Sequence, residues 1–222
     1  MTITDDDYRR LMSLIAHELR SPGAVVAGYL RLLAKNTAPG LTEPERKMID
    51  EANKSCGRLL HIAQELSELA ELTSADAMSG SQPVPIFELC EEVVRAAADS
   101  GGSVSFAIAD GDKKTSVAGH AGKLRQALGL LVSVMGRERG ATSLTVTGGV
   151  SDSKALVMFG EPASAVDLTA AAGGAHPFDR WRGGTGLSLP IAHRIIEAHR
   201  GTIAGLAAGT RGACVVTLPR AV

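Results

Sequence analysis

The chain has 222 residues, a net charge of −1, 45% hydrophobic residues and only 3% aromatics. That length accommodates one large domain or two small ones, while the balanced charge and scarce aromatic rings exclude an electrostatic or base-stacking case for nucleic acid or an anionic membrane surface. No apolar run approaches membrane-spanning length, so the chain reads as cytoplasmic, with no membrane partner.

Residues 4 to about 74 are helical in pattern. Leu11, Ile15, Leu19, Val26, Leu30 and Leu33 recur at helical spacing. The segment "NTAPG" breaks the pattern. "LTEPERK" then carries a helix start, with Thr42 as N-cap, Pro44 in the first turn and Glu45 three residues after the cap. Met48, Ala52, Cys56, Leu59, Ala63, Leu66 and Ala70 step by three and four. Two long antiparallel arms follow, each with an apolar stripe that one hairpin cannot cover by itself. A second copy covers both, predicting a homodimer built as a four-helix bundle.

On the first arm, His17 falls opposite the stripe at about 100° per residue, so its imidazole is expected in solvent. Glu18 adjoins it and Ser21 shares its exposed face. Pro22 removes the N–H that would bond the Glu18 carbonyl, which predicts a bend just after the histidine. An exposed imidazole beside a carboxylate suits in-line attack on a phosphoryl group, because the carboxylate can favour one nucleophilic nitrogen. The competing reading is an idle surface histidine.

"SADAMSGSQPVP" (Ser74 to Pro85) is small, polar and proline-containing, and reads as a linker, with its centre at residues 75–82. Beyond it, residues 83–222 mix strand and helix signals. Helices are expected over residues 85–100, 121–136 and 187–199. Strands are expected over 103–110, 143–150 and 155–160, with a hairpin over 201–219. The domains are therefore 1–74, a helical hairpin, and 83–222, a two-layer mix of helices over a sheet, α+β overall.

"GGTG" (Gly183, Gly184, Thr185, Gly186) precedes the last helix, where backbone N–H groups can cradle phosphate. It also reads as a plain tight turn. Cys56, Cys90 and Cys214 lie far apart without metal spacing, and read as reduced thiols. His61 is expected to be partly packed beside the core stripe. His193 and His199, six apart, do not share a face, and no metal site is expected. Trp181 is expected to pack against its loop.

"HELRSP" (His17 to Pro22) resembles the phospho-acceptor box of sensor histidine kinases. "FDRWRGGTGLSLPIAHRIIEAHRGTI" (Phe178 to Ile203) resembles the phenylalanine box and second glycine box of their ATP-binding domain. The resemblance implies a dimerisation and phosphotransfer hairpin followed by an α/β sandwich of the histidine-kinase ATPase type. It implies His17 as phospho-acceptor and Glu18 as its acid/base partner. It places Ser21 where many members carry Thr or Asn to position a water. Its partners are a response-regulator receiver domain and, upstream, a hybrid kinase.

The chain departs from this pattern in its second domain. The asparagine box is matched to Gly129 and Ser133, neither of which supplies a carboxamide for Mg²⁺. The first glycine box lacks its adenine-recognising aspartate at the expected spacing, since Glu161 and Asp167 fall elsewhere in "GEPASAVD" (Gly160 to Asp167). Three functions follow. The first passes phosphoryl groups between His17 and a receiver aspartate without ATP and without a cofactor, as a histidine phosphotransfer protein derived from a kinase. The second is an active divergent kinase using Mg-ATP through Ser133 and Gly183 to Gly186. The third is a non-catalytic dimeric scaffold.

Overall fold

The structure is a computed structural model that describes residues 5–35, 41–71, 80–109, 113–139, 143–160, 187–204 and 213–221. It divides into two compact units, Met1–Glu71 and Leu72–Val222.

The first unit is a helical hairpin. Helix α1 spans Asp5–Lys35 and α2 spans Glu43–Glu71, packed along their lengths. Helix α1 runs on through Pro22. The proline deletes one intrahelical bond, at a cost of about 3 kcal/mol in an isolated helix, but α2 packs along the arm and the helix continues past it. The start of α2 is the one its sequence encodes. The Glu45 carboxylate accepts both the Thr42 N–H (2.6 Å) and the Thr42 hydroxyl (2.8 Å), which holds its pKa below the ordinary value, the backbone bond contributing most.

The seam between the arms is made of small residues. Ala16 and Ala27 of α1 and Cys56, Ala63 and Ala70 of α2 are buried. Gly23 lies close to α2: a Cβ on it would meet Leu60 Cδ2 at 2.8 Å, and that side chain would have to shift. The Cys56 thiol donates to the Gly23 carbonyl at 3.2 Å. The larger apolar residues face outward instead. Leu14, Ile15, Leu19, Val25, Val26, Tyr29, Leu32, Leu33, Met48 and Leu59 are 42–67% exposed. The stripe through Ile15, Leu19, Val26 and Leu33 is thus an outer face of the hairpin, displaced around α1 from the seam.

The second unit is a layer of helices on a sheet. Its elements are β1 (Gln82–Pro85), α3 (Ile86–Asp99), β2 (Val104–Ile108), β3 (Ser116–Gly119), α4 (Ala121–Arg139), β4 (Leu144–Ser151), β5 (Lys154–Phe159), α5 (Ser188–Ala198), β6 (Thr202–Ala204) and β7 (Cys214–Pro219). The main sheet has the order β2-β4-β5-β7-β6, with β2 parallel to β4 and the other pairs antiparallel. Alternate residues Leu144, Val146, Ala155, Val157, Phe159, Cys214, Val216 and Leu218 are buried, as are Leu124, Leu128, Leu131 and Met135 of α4 and Ile191, Ile195 and Ile196 of α5. Phe87 of α3 lies so close to β4 that a Cβ on Gly148 would meet its ring at 2.8 Å.

Two short strands escaped the sequence reading. β1 and β3 form a separate antiparallel pair in which Val84 faces Val117. "QPVP" reads as linker because its two prolines lack N–H donors, yet both strands of a two-stranded pair are edges, where proline is tolerated. The stretch taken as linker therefore ends in a strand whose Val84 is buried.

Candidate functional site

His17 stands on α1 one residue past Ala16, a fully buried member of the seam. By helical phase it lies on a polar strip with Arg20, Ser21 and Arg31, about 180° from the Ile15, Leu19 and Val26 stripe. Its side chain is 74% exposed. Glu18 stands beside it, its Oε1 3.8 Å from Nδ1. That is too long for a hydrogen bond. A carboxylate that accepts the Nδ1 proton would leave the Nε2 lone pair for attack. Ser21 is exposed one turn further on. His17, Glu18 and Ser21 are therefore together on one accessible stretch of helix.

Sequence reading passed over Arg20. Its Nη2 donates to Ser67 Oγ at 2.8 Å and to Gln64 Oε1 at 3.3 Å, both on α2. Gln64 in turn donates to Glu68 Oε1 at 3.0 Å. Nearby on α2, Glu65 is buried and lies 3.6 Å from His61 Nε2, while the His61 side chain is 61% exposed. His61, expected to be partly packed beside the stripe, is thus largely exposed.

In the second unit the residues matched to the metal-binding position fall elsewhere. Gly129 and Ser133 line a groove of about 330 Å³ with Arg125 and Val132 of α4 and Glu92, Val93, Ala96 and Ala97 of α3. No residue of α5 lines that groove, although α4 also packs on α5. Ser133 thus faces the α3 side of its helix. By phase the opposite flank carries Leu130 and Val134, both apolar. Helix α4, "AGKLRQALGLLVSVMGRER", holds neither asparagine nor aspartate. Among the described residues no three His, Cys, Asp or Glu side chains come together for a metal. The positions matched to the asparagine box do not fit Mg-ATP, since neither Gly129 nor Ser133 offers the hard octahedral ion a carboxamide or carboxylate. Gly183, Gly184, Thr185 and Gly186, with Trp181, Glu161 and Asp167, lie outside the described residues.

A second histidine pair is structural. His199 follows α5 and is 2% exposed. Its Nδ1–H donates to the Ile195 carbonyl at 2.7 Å, and its Nε2 accepts the His120 N–H at 3.1 Å. His120 Nδ1 receives the Lys123 N–H at 3.4 Å, at the start of α4. His193 instead turns to Glu197, 3.3 Å away. The six-residue spacing hid this arrangement, since the partner of His199 is not His193.

The geometry is thus an accessible histidine with an adjacent carboxylate on a two-helix arm, followed by an α/β layer unit. Residues 7–75 match the His Kinase A phospho-acceptor domain. The chain is 27% identical over 203 residues to the phosphate regulon sensor protein PhoR of Pseudomonas aeruginosa, covering 84% of this chain and 44% of that protein. It therefore spans less than half of that relative. In fold it is similar to full-length ShkA in complex with AMPPNP (TM-score 0.68, 19% identity, 96% of this chain and 46% of that one). It is also similar to the histidine kinase AdeS of Acinetobacter baumannii (TM-score 0.58, 20% identity, 91% and 97%), and to the histidine kinase ThkA in complex with the response regulator TrrA (TM-score 0.58, 18% identity, 96% and 61%). These matches support a sensor histidine kinase family, with the phospho-acceptor domain matched over residues 7–75. Among the described residues no helix is long and apolar enough to cross a membrane.

Proposed function

We propose that this protein passes phosphoryl groups between His17 and the aspartate of a response-regulator receiver domain, and does so without ATP. The observation that carries this reading is the pairing of an intact, solvent-facing His17–Glu18 site with an α4 that has no asparagine or aspartate. In the transfer, the acyl-phosphate P–O bond of the receiver breaks, its carboxylate leaves with the electron pair, and a P–N bond forms at Nε2. The neutral ring, its Nδ1–H toward Glu18, attacks through Nε2, and Glu18 takes or shares the Nδ1 proton as the P–N bond places positive charge on the ring. The reverse step returns the group. Ser21, one turn on, is placed to orient a water against the phosphohistidine.

The protein acts as a homodimer. Ten large apolar side chains on the outer face of the hairpin would otherwise remain in water, far more than single scattered exposures account for. Burying such a surface at about 25 cal/mol per Å² stabilises a four-helix bundle. The ThkA structure holds a response regulator, which supports a receiver domain as the partner class here.

A second reading, an active divergent kinase, has one point in its favour: the α/β unit retains the fold of kinases, among them ShkA, whose structure holds AMPPNP. Incubation of the full chain with phosphorylated receiver domains, in parallel with Mg-ATP, separates the two.

A further inference from the structure

We propose that Arg20 binds the phosphoryl group carried by His17. The inference rests on the reading of His17 as phospho-acceptor and adds a residue to that site. Arg20 is three positions after His17, so the two are neighbours on the helix surface. By phase Arg20 lies about 60° from His17, between it and the seam. Long helical side chains lean toward the helix N-terminus, which carries the Arg20 guanidinium back over the turn that holds His17.

Its bonding leaves capacity for an anion. One nitrogen, Nη2, makes both recorded bonds, to Ser67 Oγ and Gln64 Oε1. Both acceptors are neutral, and among the described residues Arg20 forms no ion pair with a carboxylate. The guanidinium has five donors in a planar fork, so Nε and Nη1 remain for phosphoryl oxygens while Nη2 stays on α2. Ser67 is buried and fixes the fork from below. Phosphorylation of His17 adds close to two negative charges. A guanidinium already held by neutral partners meets that charge without first breaking another ion pair. Arg20 then neutralises the phosphoryl group and links its presence to the contact between the two arms.

The test uses the full chain and potassium phosphoramidate. In that reaction the P–N bond to ammonia breaks, ammonia leaves, and a P–N bond to the imidazole forms, so neither ATP nor a receiver is needed. The ³¹P signal of phospho-His17 is assigned by its loss in His17→Ala, and its second ionisation is followed by pH titration. The proposal expects Arg20→Gln to raise that pKa by roughly half a unit or more, and Arg20→Lys and Ser67→Ala each to give a smaller rise. Equal pKa values in the parent and Arg20→Gln proteins would overturn it. An equal shift in Arg20→Gln and Ser67→Ala would also overturn it, by showing that only the inter-arm contact matters. Failure of the acceptor reading looks different: either His17 carries no signal, or its phosphoryl group passes to no member of a panel of receiver domains.

Discussion

The buried imidazole of His199 accepts the backbone N–H of His120 at 3.1 Å and so ties the end of α5 to the start of α4. The acceptor must be unprotonated. Burial holds the His199 pKa below its ordinary value; the Ile195 carbonyl opposes this, and the charge of His120 adds to it. Because the folded protein binds that proton less readily than the unfolded chain, the stabilisation is complete above the ordinary imidazole pKa of about 6.5 and drains away as pH falls below it toward the folded value. Urea unfolding followed by Trp181 fluorescence is predicted to give a lower midpoint at pH 5.5 than at pH 7.5. His199→Leu is predicted to be less stable at pH 7.5 and to have a flatter pH dependence. A parent midpoint that rises on acidification would contradict this.

The same ring dictates glycine at position 119. A Cβ there would meet His199 Nε2 at 2.8 Å and Leu124 Cδ1 at 3.1 Å. Gly119→Ala is predicted to destabilise the α/β unit by about 2–4 kcal/mol, within the range for overpacking combined with loss of a buried bond. Denaturant titration of the unit's fluorescence reads it directly.

The dimer rests on the outer face of α1 and α2. Leu19→Glu or Leu59→Glu is predicted to shift the chain toward monomer in sedimentation velocity at micromolar concentration, whereas a charge reversal at exposed Arg46 leaves it dimeric. A parent chain that sediments as a monomer would remove the four-helix bundle from the account.

Sequence periodicity located both arms, the capped start of α2 and the three helices of the α/β unit, because long apolar repeats leave few alternatives. It left open which residues form the inter-arm contact, since the arms meet at Ala16, Ala27 and their small neighbours, and small residues carry a weak hydrophobic signal. β1 was lost for a related reason: Pro83 and Pro85 announce a linker, and only the pairing with β3 turns them into an edge strand. At the site, His17, Glu18 and Ser21 were legible from their spacing on one helix. Arg20 was not, since its partners Gln64 and Ser67 are more than forty residues away. Ser133 was placed by resemblance, and only the packing of α4 shows that it faces α3.

That placement carries its own prediction. Ser133→Asn would put a carboxamide into the α3–α4 groove, not onto the flank of α4 that meets α5. Calorimetry with Mg-ATP is predicted to show the same absent or millimolar binding as the parent chain. Micromolar binding by the variant would mean that Ser133 does reach a nucleotide.

Within the acceptor site, His17→Ala is predicted to abolish phosphoryl acceptance while changing stability little, because the side chain is exposed and makes no seam contact. Glu18→Ala is predicted to slow acceptance by about 10²–10⁴-fold without ending it. Stopped-time labelling from a phosphorylated receiver measures both.

The most direct test of the account supplies label from two sources in parallel. The full chain is incubated with radiolabelled Mg-ATP, or with ³²P-labelled receiver domains, and the acid-labile label is mapped. The account predicts label at His17 from the receivers, lost in His17→Ala, and none from ATP. Label at His17 from ATP, or receiver-derived label that survives in His17→Ala, would contradict it.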